Sequence, residues 1–206
     1  MATRCAVFAS GGGTNFQALL DRKAAGDLHV DFALVVGNNS DAKAFDRARE
    51  NGIKTLHIAP SHFENDDAYS KKLSDALREA GTELIILAGY MKKLPSAIVK
   101  EYQNRIMNIH PALLPAFGGK GMYGMNVHRA VLEYGAKVTG VTVHFVDEEY
   151  DHGPIIIQQT VPVMDDDDEN TLAERVLKAE HNTYWRAVEE VARGKIRVVG
   201  RKTILL

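Results

Sequence analysis

Between residues 3 and 110, short apolar, β-branched runs alternate with longer amphipathic segments, and no other property of the chain narrows its fold so far. "RCAVFAS" reads as a first strand and "NFQALLDRKAAG" as a helix closed by Gly26. "HVDFALVVGN" and "DAKAFDRARENG" repeat the pair, the helix starting on Asp41 and ending at Gly52. "KTLHIA" is a third strand, and a helix over roughly 65–80 follows it and stops at Gly81. "ELIILAG" is a fourth strand, continuously apolar as a strand buried on both faces must be. A short helix after Pro95 leads to a fifth, "RIMNIH". Asp or Asn starts and Gly stops are expected to bound the first three helices. Strands separated by helices need crossover connections, so the pattern predicts an open, mostly parallel sheet with helices on both faces, a Rossmann-like α/β fold.

The rhythm changes after residue 110. A loop to about 125 precedes a short helix, "NVHRAVLEYG", and two strands, "KVTGVTVHFV" and "GPIIIQQTVPV". About seven residues lie between these strands, too few for a crossover helix, so they are expected to pair antiparallel. A long helix from about Thr171 to Arg193 follows the acidic run Asp165 to Glu169, whose charge suits a helix N-terminus better than a metal. The tail "KIRVVGRKTILL" reads as a minor hairpin. With 206 residues and no repeat or linker, residues 1–206 are expected to form one domain.

Composition removes several function classes. The net charge is -2 and no Lys/Arg stripe is present, which argues against a nucleic-acid partner. The start, "MATRCAVFASGGG", has an apolar run too short for a signal peptide's core, and no segment is long enough to span a bilayer. The single cysteine, Cys5, cannot form an intramolecular disulfide and reads as a small buried hydrophobe. A soluble, cytoplasmic protein without a membrane partner is the expectation.

Three stretches carry chemistry. "SGGGTN", residues 10 to 15, ends the first strand and opens the first helix, where glycines let a ligand approach and unpaired N–H groups receive an anion. The dinucleotide fingerprint would need Gly where Phe16 stands, and no Gly-Lys-Ser/Thr follows, so a phosphate cradle for a smaller ligand remains, beside the plainer reading of a tight turn. In "IMNIHPALLP", Asn108 and His110 lie two apart and project from one face of a strand end. An amide there can stabilise an oxyanion and an imidazole can exchange a proton near neutral pH, although a structural histidine fits the spacing equally. Ligands gather at the carboxyl ends of such strands, which would bring the glycine loop, "AGYMKKL" and Asn108/His110 to one cleft. In "VHFVDEEYDHGPIIIQ", Asp151 lies in a turn after Asp147, Glu148 and Glu149, and spacing alone does not choose among them. A metal site of His110, His144, Asp151 and His152 lacks any H-x-x-x-H or paired Cys/His spacing, and no metal is expected.

Taken in order, "SGGGTN", "LAGYMKKL", "MNIHPALLP", "VTVHFVDEEYDHGPIIIQ" and "AEHNTYW" resemble the folate-dependent formyltransferases, in particular the phosphoribosylglycinamide formyltransferase (glycinamide ribonucleotide transformylase) family, from about residue 3 to 200. The resemblance implies an enzyme of purine biosynthesis that moves the formyl group of its co-substrate, 10-formyltetrahydrofolate, to the amine of glycinamide ribonucleotide. It implies Asn108, His110 and Asp151 as the catalytic trio. It further implies Gly13, Thr14, Asn15 and Glu180 as nucleotide-binding residues, and Met91, Lys92, Lys93, Leu94 and Asn108 as folate-binding ones, with backbone near 147–151 on the pterin. Its partners are then two small molecules, and the protein a monomer or homodimer.

The chain departs from that family where Asp66 stands in place of an Arg expected near the folate's glutamate tail, a grip that Lys92 or Lys93 would have to supply. Two alternatives stay open. Formyltetrahydrofolate deformylase would send the formyl group to water and is expected to carry an additional N-terminal regulatory domain. A non-catalytic α/β domain that binds a phosphorylated metabolite would keep the glycine loop without the trio. Methionyl-tRNA formyltransferase is disfavoured, because it is expected to carry a further RNA-binding domain and a basic surface.

Overall fold

The structure, a computed structural model, describes residues 2–206. They divide into two compact units, Met1–Met107 and Asn108–Leu206, with the division inside one strand. In the first unit β1 (Thr3–Phe8), β2 (Val30–Gly37), β3 (Lys54–His57) and β4 (Leu84–Leu87) lie in the order β3-β2-β1-β4. Every neighbouring pair among them is parallel. Helices α1 (Thr14–Ala24), α2 (Lys43–Glu50) and α3 (Asp66–Glu79) make the crossovers, the arrangement the alternating pattern requires, and α4 (Ser96–Glu101) follows β4. Strand β1 sits between β2 and β4, and its residues Cys5 to Phe8 are completely buried. Phe16 and Leu19 of α1 and Leu73 and Leu77 of α3 are also buried.

The helix stops follow the glycines: Gly26, Gly52 and Gly81 all adopt positive φ just beyond α1, α2 and α3. The expected starts are only partly seen. Asn65 caps α3 by accepting the Ala68 N–H, but α2 begins at Lys43 behind an uncapped Ala42 rather than on Asp41, and α1 begins behind Gly13. In α1 that glycine is imposed by packing. Gly13 has φ +67°, and a Cβ on it would lie 2.9 Å from the Ala44 Cβ.

The second unit runs from the end of β5 (Ile106–His110) through α5 (Met125–Tyr134), β6 (Val138–Phe145), β7 (Ile155–Pro162) and α6 (Glu169–Ala192). Strands β6 and β7 pair antiparallel, as their short connection demands. Val131 of α5, Val141 and Val161 of the strands, and Leu172, Val176 and Ala179 of α6 form one apolar cluster. The acidic run before α6 is spent on that helix. Asp168 caps it through the Asn170 and Thr171 N–H groups, and Asp167 receives both terminal nitrogens of Arg175. Strands β8 (Ile196–Val199) and β9 (Lys202–Leu205) form the expected C-terminal hairpin. No helix among the described residues is long and apolar enough to cross a membrane.

Candidate active site

Strand alternation puts Asn108 and His110 on one face, and the fold then brings the β6–β7 connection to them. His110 is buried, with Nδ1 3.5 Å from Asp151 Oδ2 and Nε2 2.8 Å from the Phe117 carbonyl. A carbonyl only accepts, so Nε2 carries a proton and donates it to Phe117. In a neutral ring Nδ1 would then turn a lone pair toward the carboxylate, whereas a charged ring would present an N–H to it. Burial works against that charge. It is the largest influence on His110 and holds its pKa below the ordinary histidine value, against the opposing pull of Asp151 and of the Phe117 carbonyl. Burial therefore favours the neutral His110 ring in this site.

Asp151 has the backbone of a left-handed residue, φ 54°, and its Oδ2 accepts the Gly119 N–H at 2.9 Å. Burial opposes its ionisation, but the His144 ring, the charge of His110 and the Gly119 N–H outweigh burial and hold the carboxyl below its usual range. Asp147, which spacing could not separate from Asp151, turns away and pairs with His152 at 2.7 Å.

The fourth member of the cluster, His144, is one that sequence reasoning placed only in a rejected metal site. Its Nδ1 lies 2.7 Å from the Phe145 carbonyl, so that nitrogen donates. Its Nε2 lies 3.2 Å from Asn108 Nδ2 and 3.7 Å from Asp151 Oδ1; a neutral ring accepts from the amide there, and a charged ring donates toward the carboxylate. His144 thereby decides which end of the Asn108 amide points at the ring. The only sequence signal for it was alternation along β6, which places it on the face of Val138, Gly140 and Thr142.

In the first unit the glycine loop is framed by strand ends. Ser10 Oγ donates to Asn38 Oδ1 at 2.5 Å and accepts the Met91 N–H at 2.8 Å, joining residues just past β1, β2 and β4. The Gly11 and Gly12 carbonyls accept from the Ala44 N–H and from Arg47 Nε. Among the described residues no side chain caps α1, and side chains built on Gly11 or Gly12 would meet nothing within 4 Å. The open glycines and the uncapped helix end suit an approaching anion, whereas Gly13 is explained by Ala44. Thr14 is exposed and Asn15 buried at the start of α1. Ser10 stood in the quoted motif, but its partners, and Asn38 and Arg47 altogether, escaped sequence reasoning because these contacts join residues 28 to 81 positions apart.

Among the expected folate residues, Met91 is 55% exposed, Lys92 and Lys93 are exposed, and Leu94 is buried. The segment therefore offers a ligand the first three side chains and its main chain, with Leu94 as the anchor. Asp66 is the first residue of α3, where a carboxylate favours the helix dipole, a structural reason for an acid at that position. Glu180 lies on the buried stripe of α6 between Val176 and Thr183.

Comparison with known proteins places these features in context. A family model described as Formyl transferase matches residues 3–188. The chain is 45% identical over 195 residues to the chloroplastic phosphoribosylglycinamide formyltransferase of Arabidopsis thaliana, covering 94% of this chain and 67% of that protein. It is 37% identical to the phosphoribosylglycinamide formyltransferase of Bacillus subtilis (strain 168), covering 90% of this chain and 93% of that one. The crystal structure of glycinamide ribonucleotide transformylase 1 from Symbiobacterium toebii superposes with a TM-score of 0.93 at 39% identity, over 100% of this chain and 94% of the other. The chain thus spans about two thirds of the plant relatives' length and nearly all of the bacterial relative's.

Proposed function

The chain belongs to the formyl transferase family, and from that premise we propose that it transfers the formyl group of 10-formyltetrahydrofolate to the amine of glycinamide ribonucleotide, a step of de novo purine biosynthesis. The convergence of Asn108, His110, His144 and Asp151 supports this reading, because an acyl-type transfer needs donors aimed at a developing oxyanion and a group that moves a proton. On this reading residues 1–206 work as one formyltransferase domain in the cytoplasm, as a monomer or homodimer, with two small molecules as partners and no nucleic acid or membrane.

The formyl carbon is supplied by the bound folate. The nucleotide's amine forms a C–N bond to that carbon, and the carbonyl electrons move to oxygen. Asn108, its amide oriented by His144, donates one N–H to that oxygen. His110 donates from Nε2, which requires its proton to leave the Phe117 carbonyl for the stronger acceptor. The negative charge works against the effect of burial, so Nδ1, which faces Asp151, takes up a proton from solvent as the oxyanion forms and releases it when the oxyanion collapses. Asp151, directly or through water, takes the proton lost by the attacking amine and returns it to the departing folate nitrogen as the C–N bond to the donor breaks. Neither a covalent enzyme intermediate nor a metal takes part. Gly13, Thr14 and Asn15, with the open glycines before them, hold the nucleotide's phosphate, and Glu180 holds its ribose or amine portion. Met91, Lys92 and Lys93 border the folate, the lysines serving its glutamate tail.

Spectroscopic detection of deformylated folate, with and without glycinamide ribonucleotide, tests the assignment. Release only in the presence of the nucleotide is expected. Equal release without it would make water the acceptor and the protein a deformylase, and no release in either case would leave a binding domain.

A further inference from the structure

The stretch matched by the family model ends at residue 188, before the C-terminal hairpin begins. That hairpin reaches the loop carrying Asp151. Arg201, in the β8–β9 turn, donates from Nη2 to the His152 carbonyl at 2.7 Å and from Nη1 to His152 Nε2 at 2.8 Å. The other ring nitrogen of His152, Nδ1, lies 2.7 Å from Asp147 Oδ2. Nη1 also lies 3.2 Å from Nδ1, so the guanidinium sits against the imidazole while Asp147 holds its Nδ1 side, and His152 is clasped between the two. One strand further along, Thr203 Oγ1 donates to the Ile155 carbonyl at 2.7 Å. The hairpin therefore grips the main chain on the C-terminal side of Asp151 at two points.

Asp151 needs such a grip. Its φ of 54° is a backbone state that a residue with a Cβ holds only when its surroundings impose it. On one side the Gly119 N–H fixes its carboxylate. At Gly153 the chain passes so close to β6 that a Cβ would lie 1.9 Å from the Phe145 carbonyl oxygen. Between these fixed points only residue 152 could let the peptide rotate, and residue 152 is what Arg201 holds.

We propose that Arg201 is a positioning residue, which sets the backbone of His152 and through it the carboxylate of Asp151 against His110 and His144. The proposal rests on the catalytic reading of Asp151 given above. Arg201, His152 and Asp147 are all exposed or nearly so, and exposed ion pairs add little to global stability. The loss of Arg201 should accordingly be felt at Asp151 and not in the melting temperature.

A double-mutant cycle with Asp151→Asn tests this in the full chain. Arg201→Ala is expected to lower kcat by about 10- to 100-fold, the scale of a misplaced catalytic group, with KM for both substrates within about twofold. In the Asp151→Asn background the same change should cost almost nothing, because its only route of action is gone. Arg201→Lys keeps the charge but not the two-pronged donor, and carries the same test if the alanine variant folds poorly. Full kcat in Arg201→Ala and Arg201→Lys beside an impaired Asp151→Asn would overturn the proposal. An equal fractional loss in both backgrounds would also overturn it, since Arg201 would then act on something other than Asp151. Undiminished activity of Asp151→Asn itself would instead remove the catalytic reading on which the proposal stands.

Discussion

His110 has Nε2 engaged by the Phe117 carbonyl, with Nδ1 3.5 Å from Asp151 Oδ2. Nε2 can serve an oxyanion only by giving up that carbonyl, a neutral and hence weaker acceptor than the oxyanion. Asn108 is differently placed, since one amide N–H faces His144 and, on the proposed reading, the second serves the substrate. Asn108→Ala is therefore expected to lower kcat by about 10²- to 10³-fold, the usual cost of one oxyanion donor. Steady-state kinetics check this, and a loss under about tenfold would end the role assigned to Asn108. At Gly13 the demand is steric and conformational together, positive φ and a neighbour 2.9 Å from any added Cβ. Gly13→Ala should cost about 1–3 kcal/mol of stability and raise KM for the nucleotide above that for the folate. Denaturant unfolding and paired KM measurements separate the two effects, and an unchanged variant would remove the close-approach account.

At the scale of elements, helix starts divide by whether a side chain caps them. Asn65 satisfies an N–H of α3 and Asp168 two of α6, so these ends are closed by the chain itself. The α1 end has no side-chain cap and follows open glycines, and α2 and α5 are also uncapped. Neither the missing cap nor the glycines single out α1, since α5 also follows open glycines, Gly121 and Gly124. Asn65→Ala should lower stability by about 1 kcal/mol with kcat and both KM values unchanged, since α3 brings no proposed site residue. A change in KM for the folate would instead mean that the start of α3, with Asp66, touches that substrate. The β6–β7 connection shows the same contrast inside one loop: Asp147 serves the hairpin through His152, while Asp151 serves the buried histidines.

For the whole molecule, buried histidines set the acid limb of stability. Burial lowers the His110 pKa, and burial followed by the charge of His110 lowers that of His128, whose Nδ1 has no hydrogen-bond partner among the described residues. A histidine with a depressed folded-state pKa binds its proton more readily when unfolded. Its contribution is complete above the unfolded value, about 6.5, and is lost as pH falls toward the folded value. Asp151, also depressed, adds a second loss only below about 3.9. Tm should thus fall between pH 7.5 and 5.5, and His128→Gln should shrink the fall; a flat parent profile would refute the account. By itself the sequence determined the α/β order, the glycine helix stops, the antiparallel β6–β7 pair and the shared face of Asn108 and His110. Each of these follows from periodicity or from backbone limits acting within a few residues. Only tertiary structure decided that Asp151 rather than Asp147 meets His110, that His144 orients Asn108, that Ala44 requires Gly13 and that Arg201 holds residue 152. These pairings join residues 31 to 49 positions apart, and what selects them is burial and hydrogen-bond geometry in the folded chain, to which local spacing is blind.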